Sequence, residues 1–406
     1  MRASLPIAMV IAAAATLPAK AEDLDIAVGK ALFDKQWVQA PASTDASDGL
    51  GPLFNAKACN SCHKDGGAAR LIVLDGEAIM RGLVVRIGNS MGEPDPFYGH
   101  QLQDRAVSGL LPEARVTTRL VSVASGFGTG TSDVAVDFTL NGPGFADGTS
   151  SEIRIAPSLA GRGLIEQVSK DAVLALADPD DRDGNGISGR ARLILSDDGR
   201  ERLGRFGVKA SAASLREQTA DAAALDIGLS SPVHRTAYGD CTPAQKDCLG
   251  MATGNSPAFE NEEISGEMVD MIAAYVAVLP RPAVNSDAQA EALFAASGCA
   301  ACHVPSLPDA AGKPLPVFTD LLLHDMGPAL AGKIGDHFAA PAEWRTAPLI
   351  DLNPLNGKRR YLHDGRAATI DMAIRWHGGE AEKARTAYEL LDAEERAALL
   401  RYLEAL

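Results

Sequence analysis

Apolar residues recur at helical spacing in the last third of the chain. Residues 264–279 form one apolar stretch with a helical period, and residues 287–297 form a shorter one. A further helix is predicted to begin at Asp392, because Asp392 and Glu395 have the spacing of a capping box and leucines recur on one face behind them. These patterns predict that the C-terminal part of the protein is built from helices.

The middle of the chain has a different period. Residues 116–124 and 134–140 are rich in Val and Thr, and apolar and polar positions nearly alternate along them. Such alternation is typical of β-strands. We therefore expect a small β insertion and long loops in a fold whose class is otherwise mainly α.

Two Cys-x-x-Cys-His strings, residues 59–63 and 299–303, carry the clearest chemical signal. Their spacing is that of covalent c-type haem attachment, in which two thiols one helical turn apart bind the porphyrin and the histidine ligates the iron. A single string could belong to a zinc site, but two copies, each with its own histidine, favour two haems. The predicted cofactor-binding residues are Cys59, Cys62, His63, Cys299, Cys302 and His303.

A second repetition accompanies the two haem strings. Arg-Ile-Ala-Pro at 154–157 recurs as Arg-Thr-Ala-Pro at 345–348, and each copy is followed by a Gly/Arg turn and a helix start at Ser214 or Thr369. Serine and threonine suit a helix N-cap because their side-chain oxygens accept the free amides of the first turn. Repeats in the same order predict two related cytochrome c-like haem domains in tandem.

The boundary between the two domains follows from a proline-rich segment. Prolines at 280 and 282 end the apolar stretch before the second haem string. We predict an N-terminal haem domain over residues 22–282, enlarged by insertions, and a C-terminal haem domain over residues 283–406.

The start of the chain and the remaining cysteines indicate a compartment. Residues 1–21 have a basic start, a short apolar stretch and a small-residue cleavage site, which is typical of a secretory signal. Cys241 and Cys248 flank a short polar loop and are predicted to form a disulfide, which requires an oxidising compartment. We expect a periplasmic protein without a membrane anchor, since the apolar run is too short to span a bilayer.

The charge of the chain limits its partners. The formal net charge is −15, which argues against nucleic acid or anionic lipid as partners. An acidic surface would suit a small basic redox protein as the electron donor, although it also serves solubility alone.

These motifs, together with the segments 95–104, 203–210 and 323–327, resemble the di-haem oxidoreductase family, which is also described as thiol oxidoreductase-like. That family is related to the bacterial di-haem cytochrome c peroxidases and to the enzymes that mature methylamine dehydrogenase. The resemblance extends from about residue 56 to the end of the chain. It implies two covalently bound haems, of which one receives electrons and the other meets hydrogen peroxide or another small oxidant.

The resemblance also indicates iron ligands. In the related enzymes, the residue that closes the C-terminal haem lies a fixed distance beyond a His-Asp-Gly turn, and that residue is His377 here. It predicts a bis-His haem between His303 and His377, with Met326 as the alternative ligand. In the first domain the same count reaches Ala222, which cannot ligate iron, so the haem of His63 is expected to have an open distal face.

Other side chains could still close that face. His100 is the only histidine between the first haem string and the middle of the chain, and Met80 and Met91 are further candidates. A solvated histidine and core methionines are the structural alternatives.

Asp226 is the candidate acid–base residue. It lies where the related peroxidases have a distal glutamate that moves a proton between the two oxygens of peroxide, a role that needs a carboxylate within hydrogen-bond reach. Gln218 and Arg205 are candidate neighbours. The structural alternative for Asp226 is a solvent-facing residue at a helix end, and for Gln218 and Arg205 it is helix packing.

One segment suggests a metal ion. Asp181, Asp183 and Asn185 place oxygens at alternate positions before a glycine, as in the opening of a calcium loop. Arg192 stands where such a loop would end in glutamate, so other residues would have to complete the shell. A turn rich in Asp and Gly is the alternative.

The sequence thus predicts a peroxidase-like oxidoreductase in which a bis-His C-terminal haem passes electrons to a more open N-terminal haem. The alternative function is a di-haem electron-transfer cytochrome without catalysis. An open coordination position at one iron distinguishes the two functions.

Overall fold

The computed structural model describes residues 21–44, 47–74, 77–125, 128–195 and 199–406. The predicted secretory segment, residues 1–21, lies outside these ranges except for Ala21, at which the first helix begins. In the ranges described, no helix combines the length and the apolar character that crossing a membrane requires.

The α-helices in the described ranges vary from one turn to almost four turns. They are α1 (Ala21–Asp34), α2 (Cys59–Cys62), α3 (Arg162–Gln167), α4 (Lys170–Leu176), α5 (Leu215–Ala222), α6 (Lys246–Leu249), α7 (Gly266–Ala277), α8 (Ala288–Ala296), α9 (Gly327–Leu330), α10 (Ile370–Arg375), α11 (Glu382–Leu390) and α12 (Ala393–Ala405). A π-helix, Ala223–Ile227, continues directly from α5.

The strands are mostly short and pair antiparallel. They are β1 (Leu53–Phe54), β2 (Arg70–Leu74), β3 (Glu77–Arg81), β4 (Leu83–Gly88), β5 (Gln101–Leu102), β6 (Arg105–Ala106), β7 (Ala114–Ser125), β8 (Gly128–Leu140), β9 (Ser150–Ile155), β10 (Leu193–Leu195), β11 (Glu201–Leu203), β12 (Leu307–Pro308), β13 (Pro314–Leu315), β14 (Leu323–Asp325) and β15 (Glu343–Arg345). One sheet has the order β5-β4-β9, and the other described sheets are strand pairs.

The prediction of a mainly α fold is wrong. The chain is 31% helical and 21% strand, and the strands form many small sheets. The predicted β insertion is present, since β7 and β8 form a long hairpin in which Ala114 pairs with Leu140. The remaining strands have two to six residues, which is too short for a period of two to be recognised in the sequence. The tandem cytochrome c-like domains and the boundary at 282/283 stay predictions.

The predicted helix starts are confirmed. The Ser214 side chain accepts a hydrogen bond from the Glu217 amide at the start of α5. The Thr369 side chain accepts one from the Met372 amide at the start of α10. Asp392 also forms its predicted capping box at the start of α12. Equivalent caps therefore begin the two helices that lead towards the candidate site residues 226 and 377.

Two hydrophobic clusters support the two haem strings. The larger one joins residues from both sides of the predicted boundary, because Ile165 and Ile272 pack with Val317 and Leu321. The second cluster is built from α8, α10, α11 and α12, and Cys299 packs against it. Each haem string thus has a cysteine packed against a hydrophobic cluster, Cys59 against the first and Cys299 against the second.

Candidate functional site

The first Cys-x-x-Cys-His string forms a single helical turn, α2, followed by His63. The Nδ1 atom of His63 lies 3.0 Å from the carbonyl oxygen of Pro157, in the first Arg-x-Ala-Pro repeat. This bond fixes the ring and leaves Nε2 available as a metal ligand. Burial lowers the pKa of His63 to about 4, so the ring is neutral. A neutral imidazole is the form that binds iron.

The two thiols of this string, those of Cys59 and Cys62, are free of disulfides and partly buried. Burial and, after it, the charge of Asp226 raise the pKa of each thiol to about 12. The charge of Asp226 therefore acts on both thiols. One helical turn separates the thiols, as the attachment of a single porphyrin requires.

The second string presents a pair of imidazoles. The rings of His303 and His377 have their centroids 6.5 Å apart. Each Nδ1 faces a backbone carbonyl, that of Phe318 at 3.3 Å and that of Ala373 at 2.8 Å, so that both Nε2 atoms remain available. Metal–nitrogen bonds of about 2 Å on each side would separate the ring centres by about 6 Å. The space between the two rings therefore fits one hexacoordinate iron.

A buried ion network holds the loop that follows His377. Nδ1 of His324 lies 2.7 Å from Oε2 of Glu380, and its Nε2 lies 2.9 Å from Oδ2 of Asp320. Burial opposes charge on this imidazole, but its hydrogen bonds to the two carboxylates raise the pKa to about 12. The ring is also 4.0 Å from Sγ of Cys302. His324 thus connects the second haem string to the loop of its candidate distal ligand.

Met326, the alternative ligand, lies beside the same loop. It is the N-cap residue of α9, and its carbonyl oxygen would lie 3.2 Å from a Cβ at position 378. Gly378 and Gly379 allow this close approach of two backbone segments.

Asp226 lies on the π-helix at the end of α5. Its Oδ1 accepts a hydrogen bond of 2.8 Å from Nε2 of Gln101, and the same amide group also donates 2.8 Å to Oδ1 of Asn55. Asn55 in turn donates 3.0 Å to Oδ1 of Asp104. Burial raises the pKa of Asp226, and the bond from Gln101 opposes that rise. A shielded carboxylate with a raised pKa is suited to proton transfer.

Backbone bonds place Asp226 against the first haem string. Its carbonyl oxygen accepts bonds from the amides of Asn55 (2.8 Å) and Ala56 (2.9 Å), just before Cys59. The residue that follows the π-helix is Gly228, whose φ is 82°. A Cβ at Gly228 would lie 2.6 Å from Cα of Gly51, so a larger residue would push Asp226 away from the string. π-helical turns are frequent at functional sites because they displace one side chain from the helical pattern.

The contacts of Arg205 and Gln218 lie away from the carboxylate of Asp226. The Arg205 guanidinium donates 2.5 Å to the carbonyl of Val168 and 3.3 Å to that of Ile165, at the C-terminal end of α3. Gln218 is partly buried on α5, and its Oε1 faces the turn at Gly207. Their contacts agree with the packing alternative, and the assignment of either residue to catalysis stays a prediction.

Three other side chains were candidate distal ligands for the iron of the first haem, and their environments differ from one another. The His100 ring is 3.0 Å from Oδ1 of Asp240 and is about half exposed. Met80 is buried in β3, and Met91 is exposed. In the part of the chain that the structure describes, no second imidazole faces His63 as His377 faces His303.

The predicted disulfide is present and lies next to this network. Cys241 is bonded to Cys248. The preceding residue, Asp240, accepts hydrogen bonds from the amides of His100 (2.5 Å) and Gln101 (2.9 Å). The disulfide loop therefore holds the strand that carries Gln101.

The candidate calcium loop is closed by its own backbone. Asp181 and Asp183 accept bonds from the amides of Gly186 and Asn185, each at 3.0 Å. The ammonium group of Lys383 donates 2.6 Å to the Asn185 carbonyl. The loop oxygens are thus engaged by donors of the protein itself, and calcium binding stays a prediction.

The geometry defines a protein that could hold two iron porphyrins, one between two imidazoles and one on a single imidazole beside a carboxylate. The chain belongs to the family described as "Di-haem oxidoreductase, putative peroxidase", which it matches over residues 9–83 and 145–406. The predicted family is thereby confirmed. The segment between the two matched parts contains the long hairpin and Gln101.

Other comparisons add little. No curated protein matches the chain. Among solved structures, it is similar to hydrazine synthase from Kuenenia stuttgartiensis pressurised with 20 bar xenon, with 12% identity, 99% of each chain covered and a TM-score of 0.36. A TM-score this low does not support an inference about fold or function.

Sequence reasoning missed the polar residues that surround Asp226. Gln101 and Gln103 alternate along a short segment and both are buried, and Gln103 donates 3.0 Å to the Leu225 carbonyl next to Asp226. The signal in the sequence is the pair of glutamines on alternate positions on either side of Leu102. His324 was also visible as part of the segment 323–327, but nothing in the sequence pairs it with Glu380.

Proposed function

We propose that this chain is a periplasmic, c-type di-haem oxidoreductase that reduces hydrogen peroxide or a similar small oxidant. The observation that carries the proposal is the asymmetry of the two strings. His303 faces a second imidazole at 6.5 Å, whereas the first string has the shielded carboxylate of Asp226 beside it. The family's description as a di-haem oxidoreductase supports the same function.

The residues that would hold the haems fit that cofactor. Thioether bonds would form at Cys59, Cys62, Cys299 and Cys302, and the iron ligands would be His63 at one haem and His303 with His377 at the other. All four thiols are free of disulfides, and the three rings have their Nδ1 atoms on backbone carbonyls. Bound haem supplies an iron that changes its oxidation state and can bind peroxide where one axial position is open.

Asp226 would serve the proton transfers. Reduction of hydrogen peroxide breaks the O–O bond, consumes two electrons and two protons, and releases two waters. Asp226 would accept the proton of the bound oxygen and return it to the leaving oxygen. Gln101 would hold the carboxylate in place through its bond to Oδ1. Because this relay moves a proton that the peroxide already carries, both protons that the reaction consumes would come from solvent.

The electrons would come from outside the chain. We propose that they enter at the C-terminal haem, because two imidazole ligands close an iron to substrate while leaving it able to exchange electrons. The net charge of −15 suits a small basic redox protein as the donor. Nucleic acid and membrane surfaces are not expected as partners.

Calcium would be a second cofactor only if the loop at Asp181, Asp183 and Asn185 opens. The amide bonds and the Lys383 ammonium would have to be displaced. Metal analysis of the purified protein, before and after treatment with a chelator, tests this part of the proposal separately.

Low-temperature electron paramagnetic resonance of the holoprotein tests the function. We expect one low-spin ferric haem and, as isolated or after partial reduction, one high-spin haem that shifts on addition of cyanide or peroxide. Two haems that remain low-spin in every redox state would overturn the peroxidase proposal and leave a di-haem electron carrier.

A further inference from the structure

A cavity of about 400 Å³ lies where the predicted linker meets both haem regions. Its walls come from four separate parts of the chain: the segment that follows His63, the segment after the first Arg-x-Ala-Pro repeat, the linker itself and the segment after the second Arg-x-Ala-Pro repeat. The residues that matter for its chemistry are Gly66, Arg70, Ser158, Arg281, Asp351 and Leu355. The exposed residues Asp65 and Pro282 also line the cavity, so it reaches the surface.

Two guanidinium groups in this cavity have buried N–H groups without acceptors. Nε of Arg70 and Nη2 of Arg281 are inaccessible to solvent and have no hydrogen-bond partner in the described residues. Buried donors are nearly always paired, and an unpaired N–H on a charged group costs more than a neutral one. The two guanidinium groups that line the cavity are thus incompletely paired within the described residues, although these two nitrogen atoms are themselves covered and do not face the cavity.

The acidic residues of the cavity are already compensated. Asp351 accepts 2.6 Å from the Ser158 hydroxyl and lies 3.5 Å from the guanidinium of Arg359. Asp65 is 3.2 Å from the ammonium of Lys64. The acidic residues that line the cavity therefore do not neutralise the positive charges of Arg70 and Arg281. The ligand that suits these two groups is an anion.

Arg281 is held in place by its contacts, and Arg70 lies close to the backbone at Gly67. Arg281 donates to the carbonyl of Pro316 and lies over the ring of Phe318, 5.9 Å from its centroid. Nη2 of Arg70 would lie 3.0 Å from a Cβ at position 67. Preorganised guanidinium groups bind carboxylate and phosphate oxygens with good geometry, because their donors are planar and fixed.

Further cations strengthen the positive field at this junction. Arg162 donates 2.9 Å to the carbonyl of Ser158, and burial together with the neighbouring Arg359 lowers its pKa to about 10. An acidic chain thus concentrates arginines at one internal boundary.

We propose that this cavity is a binding site for an anion that presents carboxylate or phosphate oxygens to Arg70 and Arg281. Two sources have this chemistry: a small free anion that enters from solvent, and the propionate groups of a bound haem. The cavity also lies near the first proximal histidine, since Gly66 in its wall is three residues beyond His63. A free anion here would stabilise the ferric form of the haem held by His63 and lower its midpoint potential, an effect that rests on the proposed haem content.

Titration of the holoprotein with inorganic phosphate and with succinate, at constant ionic strength in chloride, tests the proposal. For a free anion, calorimetry should show saturable binding that weakens about tenfold or more in Arg70→Gln and in Arg281→Gln, because each loses a charge-assisted hydrogen bond. Arg70→Lys keeps the charge and should be intermediate. Arg119→Gln, an exposed arginine on β7 paired with Asp137, is the matched control and should bind as the wild type does.

The second source gives a different result. If haem propionates fill the cavity, neither probe binds to the wild type, but both glutamine variants shift the propionate bands in resonance Raman spectra and Arg119→Gln does not. Circular dichroism of each variant verifies folding. Absence of probe binding together with unchanged propionate bands in both variants would overturn the proposal, and so would probe binding that both variants retain. None of these outcomes depends on peroxide reduction, so failure here and failure of the peroxidase proposal can be told apart.

Discussion

The side-chain amide of Gln101 donates a 2.8 Å hydrogen bond to the carboxylate of Asp226, although the two residues are 125 positions apart in the chain. This bond stabilises the charged form of the carboxylate, whereas burial stabilises the neutral form. The balance of the two effects sets the pH at which Asp226 can accept a proton.

Asp226→Asn should therefore remove most of the peroxide reaction. The asparagine keeps the size of the side chain but cannot accept a proton, and the loss of a general acid–base typically costs about 10²- to 10⁴-fold in rate. Stopped-flow mixing of the partly reduced holoprotein with peroxide measures this rate. Asp226→Glu should recover part of it.

Asp221→Asn is the matched control for this variant. Asp221 lies on α5, and its carboxylate is 2.6 Å from the ring of His234 rather than in the network around Gln101. A loss of rate in Asp221→Asn as large as in Asp226→Asn would mean that the effect is structural.

The pH dependence of the same reaction should respond to Gln101. A base must be ionised, so the rate should rise with pH through the pKa of Asp226, which burial places above the usual range of an aspartate. Gln101→Leu removes the hydrogen bond that favours ionisation, so the pKa rises further and the acid limb of the rate profile moves to higher pH. In Asp226→Asn this limb should be absent.

Gln103→Leu controls for changes in the strand itself. Gln103 donates to the carbonyl of Leu225 rather than to the carboxylate. If it moves the acid limb as far as Gln101→Leu does, the hydrogen bond to Asp226 is not the cause.

The Cys241–Cys248 bond should stabilise both the fold and this network. Closure of a loop with a sequence separation of 7 is worth about 2–3 kcal/mol in the chain-entropy account. The double variant Cys241→Ser/Cys248→Ser should lose free energy of unfolding of this size in denaturant titration. The acid limb of its rate profile should also move towards that of Gln101→Leu. The reason is that Asp240, next to Cys241, then holds the backbone amide of Gln101 less firmly.

Asp240→Asn separates the two effects. It keeps the disulfide but weakens the bonds to His100 and Gln101, so it should move the acid limb with a smaller loss of stability. Equal denaturant midpoints for the wild type and the double serine variant would contradict a stabilising role of the disulfide.

The sequence indicated those parts of the site that lie within one short segment. The haem strings and the caps at Ser214 and Thr369 are local patterns, and His377 could be reached by counting from such a pattern. The network around Asp226 is different, because β5 and the segment before Cys59 meet the π-helix only through tertiary contacts. Asn55 and Gln101, for example, are 46 positions apart. The small sheets were missed for the same reason, since pairing partners decide such strands more than local preference does.

His377→Gly should convert the C-terminal haem from low-spin to high-spin, because it removes one of the two imidazoles that face each other across 6.5 Å. Paramagnetic resonance of the fully oxidised holoprotein measures the change, and added imidazole should restore the low-spin signal by binding in the space that the side chain leaves. Met326→Leu is the matched control, since it removes the alternative ligand next to the same loop while preserving apolar bulk. A low-spin signal that survives in His377→Gly but is lost in Met326→Leu would assign the ligand to the thioether. Loss in His377→Gly alone, with rescue by imidazole, would establish that the iron lies between His303 and His377, and the Nδ1 bonds of both rings to backbone carbonyls then explain why their Nε2 atoms are the ligands.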